Sequence, residues 1–461
     1  MIQLPSDFIQ QMVSLIGETE FQKFQDAIQT ERITSIRTNE NKVTGNVNNA
    51  TLVPWCKNGF YLNDRPVFTM DPLFHAGCYY AQEASSMFVE QAVRQHWDSM
   101  EENEPLILDL CAAPGGKSTH LASLLNGRGW LVCNEVMKSR IGILNENITK
   151  WGTPNVTVTN NDPKDFGQLN GLFDLILIDA PCSGEGMFRK DDKAIEDWSL
   201  DNVQLCCERQ RRIVADVFPA LKEGGLLLYS TCTYNEEEDE KNVHWIEENL
   251  GAEILEIKTK DDWNITTQGA GYHFYPHKTQ GEGFFLAVLK KTTEESTTKI
   301  KTPKQISLAS KDISTICTKW LTNQDVKILQ EGDKLTAIPN QWLDTQLFLK
   351  QKLRIVHYAL PIGIVKGKDI IPDEALALSW ILKQDQFTKV DCTWEQAIQF
   401  LKKENIILEN ISKGIVLFCY KNIPLGFGKN LGNRCNNLYP SEWHIRMNAD
   451  EDKHTEIIDF H

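Results

Sequence analysis

Leu108-Asp109-Leu110-Cys111-Ala112-Ala113-Pro114-Gly115-Gly116-Lys117-Ser118 decides how this chain is read. Leu106 to Leu110 is an apolar run of strand length, and it gives way to small residues and two glycines before a helical stretch begins. Small residues at the carboxyl end of a first strand let a ligand come close to the backbone. The helix that follows points its amide groups at that ligand. The spacing is neither Gly-x-x-x-x-Gly-Lys nor Gly-x-Gly-x-x-Gly, so a phosphate loop and a dinucleotide fingerprint are both excluded.

Working outward, apolar runs of strand length recur at Gly129 to Asn134, Val156 to Thr159, Phe173 to Ile178 and Gly225 to Tyr229. Helical stretches lie between them, among them Ser139 to Trp151 and Asp201 to Leu221. A last strand, Gly283 to Leu289, follows a turn-rich segment around Pro276 and Gly281. This alternation predicts an α/β unit with a parallel sheet and helices on both faces. Acids sit at the strand ends. Glu135 ends the second strand, where a carboxylate holds ribose hydroxyls; Asp162 follows the third, within reach of an adenine amino group; Asp179 ends the fourth. The plainer alternative is that such acids cap the next helix.

Two cysteines share that edge. The fourth strand runs into Asp179-Ala180-Pro181-Cys182-Ser183-Gly184-Glu185-Gly186 and the fifth into Ser230-Thr231-Cys232-Thr233-Tyr234. Neighbouring parallel strands bring these two thiols together. A lone cysteine is more often a packed small hydrophobe, but two at adjacent strand ends beside a nucleoside site are a catalytic arrangement.

At 461 residues the chain is too long for one ordinary core. We expect residues 1–100 to form a small N-terminal segment, 101–291 the α/β core, 292–305 a Thr- and Lys-rich linker, and 306–461 a C-terminal extension whose charged tail, 448–461, is loosely held. The composition is that of a soluble globular protein, 41% hydrophobic and 24% charged, without a membrane-length apolar run or a signal peptide, so a cytoplasmic monomer is expected. None of the 12 cysteines forms a Cys-x-x-Cys pair, so no metal is expected. The net charge of -15 opposes nucleic-acid binding on average, and local basic clusters must supply it. Candidates are Arg189 and Lys190, then Arg209, Arg211 and Arg212 on one helix, then Lys429, Arg434 and Arg446 interleaved with Phe427, Tyr439 and Trp443.

Leu110 to Lys117, Asp179 to Gly184 and Ser230 to Thr233 together resemble the Sun/Fmu-type RNA cytosine-5 methyltransferases, as do Gln82-Glu83-Ala84-Ser85-Ser86 and Gly281-Glu282-Gly283-Phe284-Phe285. Pro181 to Lys190 is most similar to the RsmF branch, which acts on bacterial 16S ribosomal RNA, and Pro424 to Lys429 with Tyr439-Pro440 resembles that branch's C-terminal extension. The resemblance implies a Rossmann-like, mostly parallel seven-stranded sheet and a PUA-like region at the C-terminus. It implies S-adenosylmethionine as cofactor, contacted by Cys111, Ala112, Ala113, Pro114, Gly115, Gly116, Lys117, Glu135, Asp162 and Asp179. Cys232 is then the nucleophile, Cys182 the residue that helps release product, and Asp179 the acid near ring nitrogen 3 of the cytosine. Transfer RNA is the alternative substrate. Two rival classes remain. An amino-group methyltransferase would carry Asn/Asp-Pro-Pro-Tyr where this chain has Asp179-Ala180-Pro181-Cys182, and an idle RNA-binding scaffold would be expected to have lost a cysteine or a cofactor acid.

Overall fold

The computed structural model describes residues 2–97, 104–294, 296–301, 306–448 and 454–460. Its centre is a ten-stranded sheet. Seven strands form the expected core: β1 (Leu106–Asp109), β2 (Trp130–Asn134), β3 (Val156–Thr159), β4 (Phe173–Asp179), β5 (Leu221–Thr231), β6 (Gly271–Phe274) and β7 (Phe284–Lys291). Their spatial order is β6-β7-β5-β4-β1-β2-β3. All pairs from β5 to β3 are parallel, while β7 runs antiparallel to both β5 and β6. The chain order reverses at β1, which lies between β2 and β4. That reversal opens a crevice at the carboxyl ends of the strands, the usual ligand position in such sheets. β1, β2 and β3 are buried on both faces, as a parallel sheet sandwiched by helices requires.

Neither β6 nor the other three strands were read from the sequence. Thr266–Gln268 extends β6, Ala252–Leu255 pairs with β7, and Ile355–Tyr358 adds antiparallel to β3. The last of these comes from beyond the linker. Trp342, Phe348, Leu349 and Leu353 share one apolar cluster with Trp130 and Val132 of the sheet, and Thr157 donates its hydroxyl hydrogen to Gln346 Oε1 at 2.6 Å. The region after 305 therefore covers the β3 edge rather than standing apart, which removes an unpaired strand edge. Of the 292–305 linker, residues 295 and 302–305 lie outside the described residues, and the rest has neither helix nor strand.

The N-terminal residues form two helices, Ser6–Ile16 and Glu18–Ile28, and a four-stranded sheet ordered Ala50–Leu52, Gly59–Leu62, Thr34–Thr38, Tyr79–Ala81. Arg37 fastens this sheet to the core. It is buried, donates to Gln82 Oε1 at 2.8 Å and Thr119 Oγ1 at 2.6 Å, and lies 4.5 Å from the Trp151 ring centre. Two further four-stranded sheets lie between 326 and 437. The second packs against the N-terminal sheet, with Ile36, Met70, Phe400, Val416 and Tyr439 in one cluster. The tail departs from expectation. Residues 449–453 and 461 lie outside the described residues, but Ile457 and Ile458 are buried, and Ile458–Asp459 pairs with Asn46–Val47. Two apolar residues in a charged tail are enough to anchor it.

Candidate active site

The β4 and β5 loops carry the two cysteines. Ser230 is the register partner of Asp179, so the chains leave the sheet side by side. Three residues past Asp179 and two past Ser230, the Cys182 and Cys232 sulfurs stand 3.0 Å apart, and the Cys232 amide donates to the Cys182 sulfur at 3.3 Å. Both residues are half-buried. The two thiols are not equivalent. The hydrogen bond to Cys232, and then burial, push the Cys182 thiol well above its ordinary range. Cys182 therefore holds its proton more tightly than an ordinary thiol.

Lys117 itself bonds Asp179 Oδ2 at 2.8 Å, and Ser230 Oγ donates to Asp179 Oδ1 at 2.8 Å. Burial opposes the Lys117 charge, but Asp179 and Asp109 outweigh it and hold the ammonium above its usual range. Asp109, at the end of β1, is wholly buried. Burial pushes its carboxyl up to about 7, although Ser118 Oγ donates to its Oδ2 at 2.6 Å. Its Oδ1 has no hydrogen-bond partner.

A cavity of about 200 Å³ lies over this edge, lined by Asp109, Cys111 to Pro114, Gly116, Lys117 and Asp179. Gly115 adopts φ 116°, which only glycine takes easily, and starts the Gly116–Leu125 helix at the cavity floor. Glu135 is buried, accepts from the Met137 amide at 2.8 Å and has Arg140 within 3.6 Å. Asp162 does what the plainer reading expected: its Oδ1 accepts from the Lys164 amide and caps the Pro163–Gly167 helix. A larger hollow of about 510 Å³ lies between the first helix and residues 200–241, but Asp7, Glu236 and Glu237 make its wall acidic.

Sequence reasoning missed what holds the loops. Glu238 is fully buried and accepts from the Ser183 amide at 3.0 Å, Asn235 Nδ2 at 2.9 Å and Gln210 Nε2 at 2.7 Å. Glu185 accepts from the Tyr234 amide at 2.8 Å and Trp198 Nε1 at 3.0 Å, tying the first loop to the second. Gly186 donates to the Cys232 carbonyl at 2.8 Å, and a Cβ there would meet Gly283 O at 2.7 Å. The cavity's outer wall, Tyr80, Gln82, Glu83 and Ser86, comes from the N-terminal sheet and its exit. Gln82 to Ser86 carried a resemblance but no assigned role.

The expected RNA contacts need correction. Arg189 is not offered to solvent: its side chain is 5% exposed and pairs with Glu282 at 3.0 Å. Arg211 donates to Asn242 Oδ1 at 2.7 Å beside Trp245, whereas Arg209 and Arg212 are exposed. Phe427 and Tyr439 are fully buried, so they are core residues rather than stacking platforms, and Lys429 pairs with Asp369 at 3.0 Å. Arg434 and Arg446 are exposed.

Three family models match the chain: the N-terminal domain of 16S rRNA methyltransferase RsmF over residues 4–84, 16S rRNA methyltransferase RsmB/F over 97–290, and the methyltransferase RsmF PUA domain over 387–445. Ribosomal RNA small subunit methyltransferase F of Shewanella oneidensis is 32% identical over 412 residues, 85% of this chain and 84% of that protein. Its Photobacterium profundum counterpart is 33% identical over 411 residues, 85% of each. Among solved structures, a methyltransferase homologue from Pyrococcus horikoshii aligns with TM-score 0.54 and 28% identity, covering 63% of this chain and 96% of that one. NSun6 from the same organism, crystallised with the S-adenosylmethionine analogue SFG, shares the fold at TM-score 0.53 and 23% identity, over 63% and 99% of the two chains.

Proposed function

The chain belongs to the RsmF branch of the 16S rRNA methyltransferase RsmB/F family, and on that premise we propose that it methylates carbon 5 of a cytosine in 16S ribosomal RNA with Cys232 as covalent nucleophile. S-adenosylmethionine is the cofactor of this family, and the residues present fit it. A small-residue cradle opens beside a buried Asp109 oxygen without a partner, and three acids face a ligand that carries positive charge. Cys111 to Lys117 and Asp109 would hold the amino-acid end, Glu135 the ribose and Asp162, in addition to its capping bond, the adenine edge. When bound, the cofactor supplies an electrophilic methyl group.

The observation that carries the reading is the thiol pair, 3.0 Å between sulfurs, with the Cys232 amide donating to the Cys182 sulfur and the Cys182 thiol held above its ordinary range by its contact with Cys232 and by burial. Carbon 5 of cytosine is too weak a nucleophile by itself. The Cys232 thiolate adds to carbon 6, and the ring electrons move toward carbon 5 and nitrogen 3, which makes carbon 5 enamine-like and able to take a methyl group. Asp179, bonded to Lys117 and Ser230, would pass a proton from that pair to nitrogen 3 as the thiolate adds. A base then takes the carbon 5 proton, the nitrogen 3 proton returns, and Cys232 leaves as a thiolate, with Cys182 assisting that elimination. The 1–100 and 306–461 regions would grip the RNA around this crevice. Bisulfite sequencing of 16S ribosomal RNA tests the substrate assignment. A deletion strain should lose one 5-methylcytosine signal that the intact gene restores. An unchanged ribosomal pattern, with a loss in transfer RNA instead, would move the substrate.

A further inference from the structure

The absence of a Cys-x-x-Cys pair led us to expect no metal. Yet, among the described residues, the fold gathers three ligand-type side chains away from the thiol crevice. Cys56 lies in the turn before Gly59–Leu62, Glu90 on the Val89–His96 helix and His120 on the Gly116–Leu125 helix of the core. All three are buried. Glu90 Oε2 stands 3.1 Å from Cys56 Sγ and 3.0 Å from His120 Nε2, and sulfur and nitrogen are 3.9 Å apart. We propose that Cys56, Glu90 and His120 bind a divalent transition-metal ion, zinc by their donor set, which pins the N-terminal module to the catalytic core.

The geometry carries it. Zinc bonds of about 2.3 Å to sulfur and about 2.0 Å to nitrogen and oxygen, set tetrahedrally, place the ligand atoms about 3.3–3.5 Å apart. The three observed separations scatter around that edge length. Without an ion, Cys56 and His120 both bond the same Glu90 oxygen. A metal ion replaces both: the Cys56 thiol proton leaves to water, the imidazole proton moves from Nε2 to Nδ1, and thiolate plus carboxylate balance the +2 charge. That neutrality matters, because Arg37 and Arg94 flank the site. Arg94 Nε also donates to the other Glu90 oxygen at 2.7 Å, and the Lys57 amide reaches it at 3.3 Å, the kind of outer support that fixes a ligating carboxylate. A hollow of about 320 Å³ borders Glu90 and His120 and gives a fourth ligand, water, its place.

The test is a cobalt(II) titration of chelator-washed full-length protein carrying Cys182→Ser and Cys232→Ser, so that the crevice thiols cannot contribute. The expected result is a thiolate-to-cobalt band and intense four-coordinate visible absorption, saturating at one equivalent and abolished by stoichiometric zinc. Adding His120→Gln should weaken cobalt binding at least tenfold, and adding Cys56→Ser should remove the charge-transfer band. Absence of the bands in the starting protein would overturn the proposal without any question of folding. Bands that persist unchanged in both added variants would overturn it as well.

Discussion

The thiol crevice and the C-terminal sheet use similar residue types and treat them in opposite ways. Cys182 and Cys232 lie just beyond strand ends and stay half-buried. Phe427 lies within the Ile423–Asn430 strand and packs into a core with Phe387 and Leu417, while Tyr439 packs on Phe400. Position relative to the strand end separates Phe427 from the two cysteines, whereas Tyr439, two residues past the Cys435–Asn437 strand, is buried by the Phe400 helix and not by a sheet ladder. Inside a strand the side chain must cover a sheet face; past the end, the backbone has left the ladder and the side chain can face a ligand. An aromatic next to a lysine is thus weak evidence for RNA stacking, whereas two cysteines just past the ends of neighbouring parallel strands are strong evidence for chemistry.

The largest effect expected from this contrast is at Cys232. Cys232→Ala should cut methyl incorporation into RNA to below about a thousandth of wild type, with an unchanged melting temperature; retention of a tenth of the activity would break the crevice side of the comparison. At the other pole, Phe427→Ala should cost about 3–5 kcal/mol of stability in urea unfolding, while the folded fraction binds RNA as before. A stable Phe427→Ala protein with weakened RNA affinity would restore the stacking role. Asp109 sharpens the crevice further. Its folded carboxyl titrates near 7, above the unfolded range, so the native state holds a proton that the unfolded chain has released. Stability contributed by that proton is complete at low pH and is lost as pH rises from about 4 toward 7. Asp109→Asn should flatten that decline in thermal melts of the cofactor-free protein, and an identical pH profile would remove Asp109 from the account. The smallest effect is at Lys429, whose exposed pair with Asp369 is worth about 0–1 kcal/mol; a larger loss of stability in Lys429→Gln would mean that the C-terminal charges do more than decorate a face.

The crevice was legible because parallel-strand pattern and strand-end residue type point the same way. Val156–Thr159 is buried and β-branched throughout, and its bounds are those read from the chain. What lay hidden depends on contacts distant in sequence. Glu236-Glu237-Glu238 reads as a solvated acidic run, yet Glu236 is exposed and Glu238 is turned fully inward to gather three donors. Arg189 reads as an RNA contact because its partner, Glu282, lies 93 residues away. The Ile355–Tyr358 strand has no register until β3 offers an edge. The tail held by Ile458 and the Cys56-Glu90-His120 trio are of the same kind, since only folding brings their parts together.

The central claim is a division of labour between two sulfurs 3.0 Å apart, and a denaturing gel of labelled substrate RNA with S-adenosylmethionine present tests it most directly. Cys182→Ala should attack and methylate but fail to eliminate, so the RNA should shift as a covalent protein adduct. Cys232→Ala and the double variant should give no shifted band. A trapped band in Cys232→Ala and none in Cys182→Ala would exchange the two roles. Absence of any band, with methylation intact in both single variants, would contradict covalent catalysis at this site.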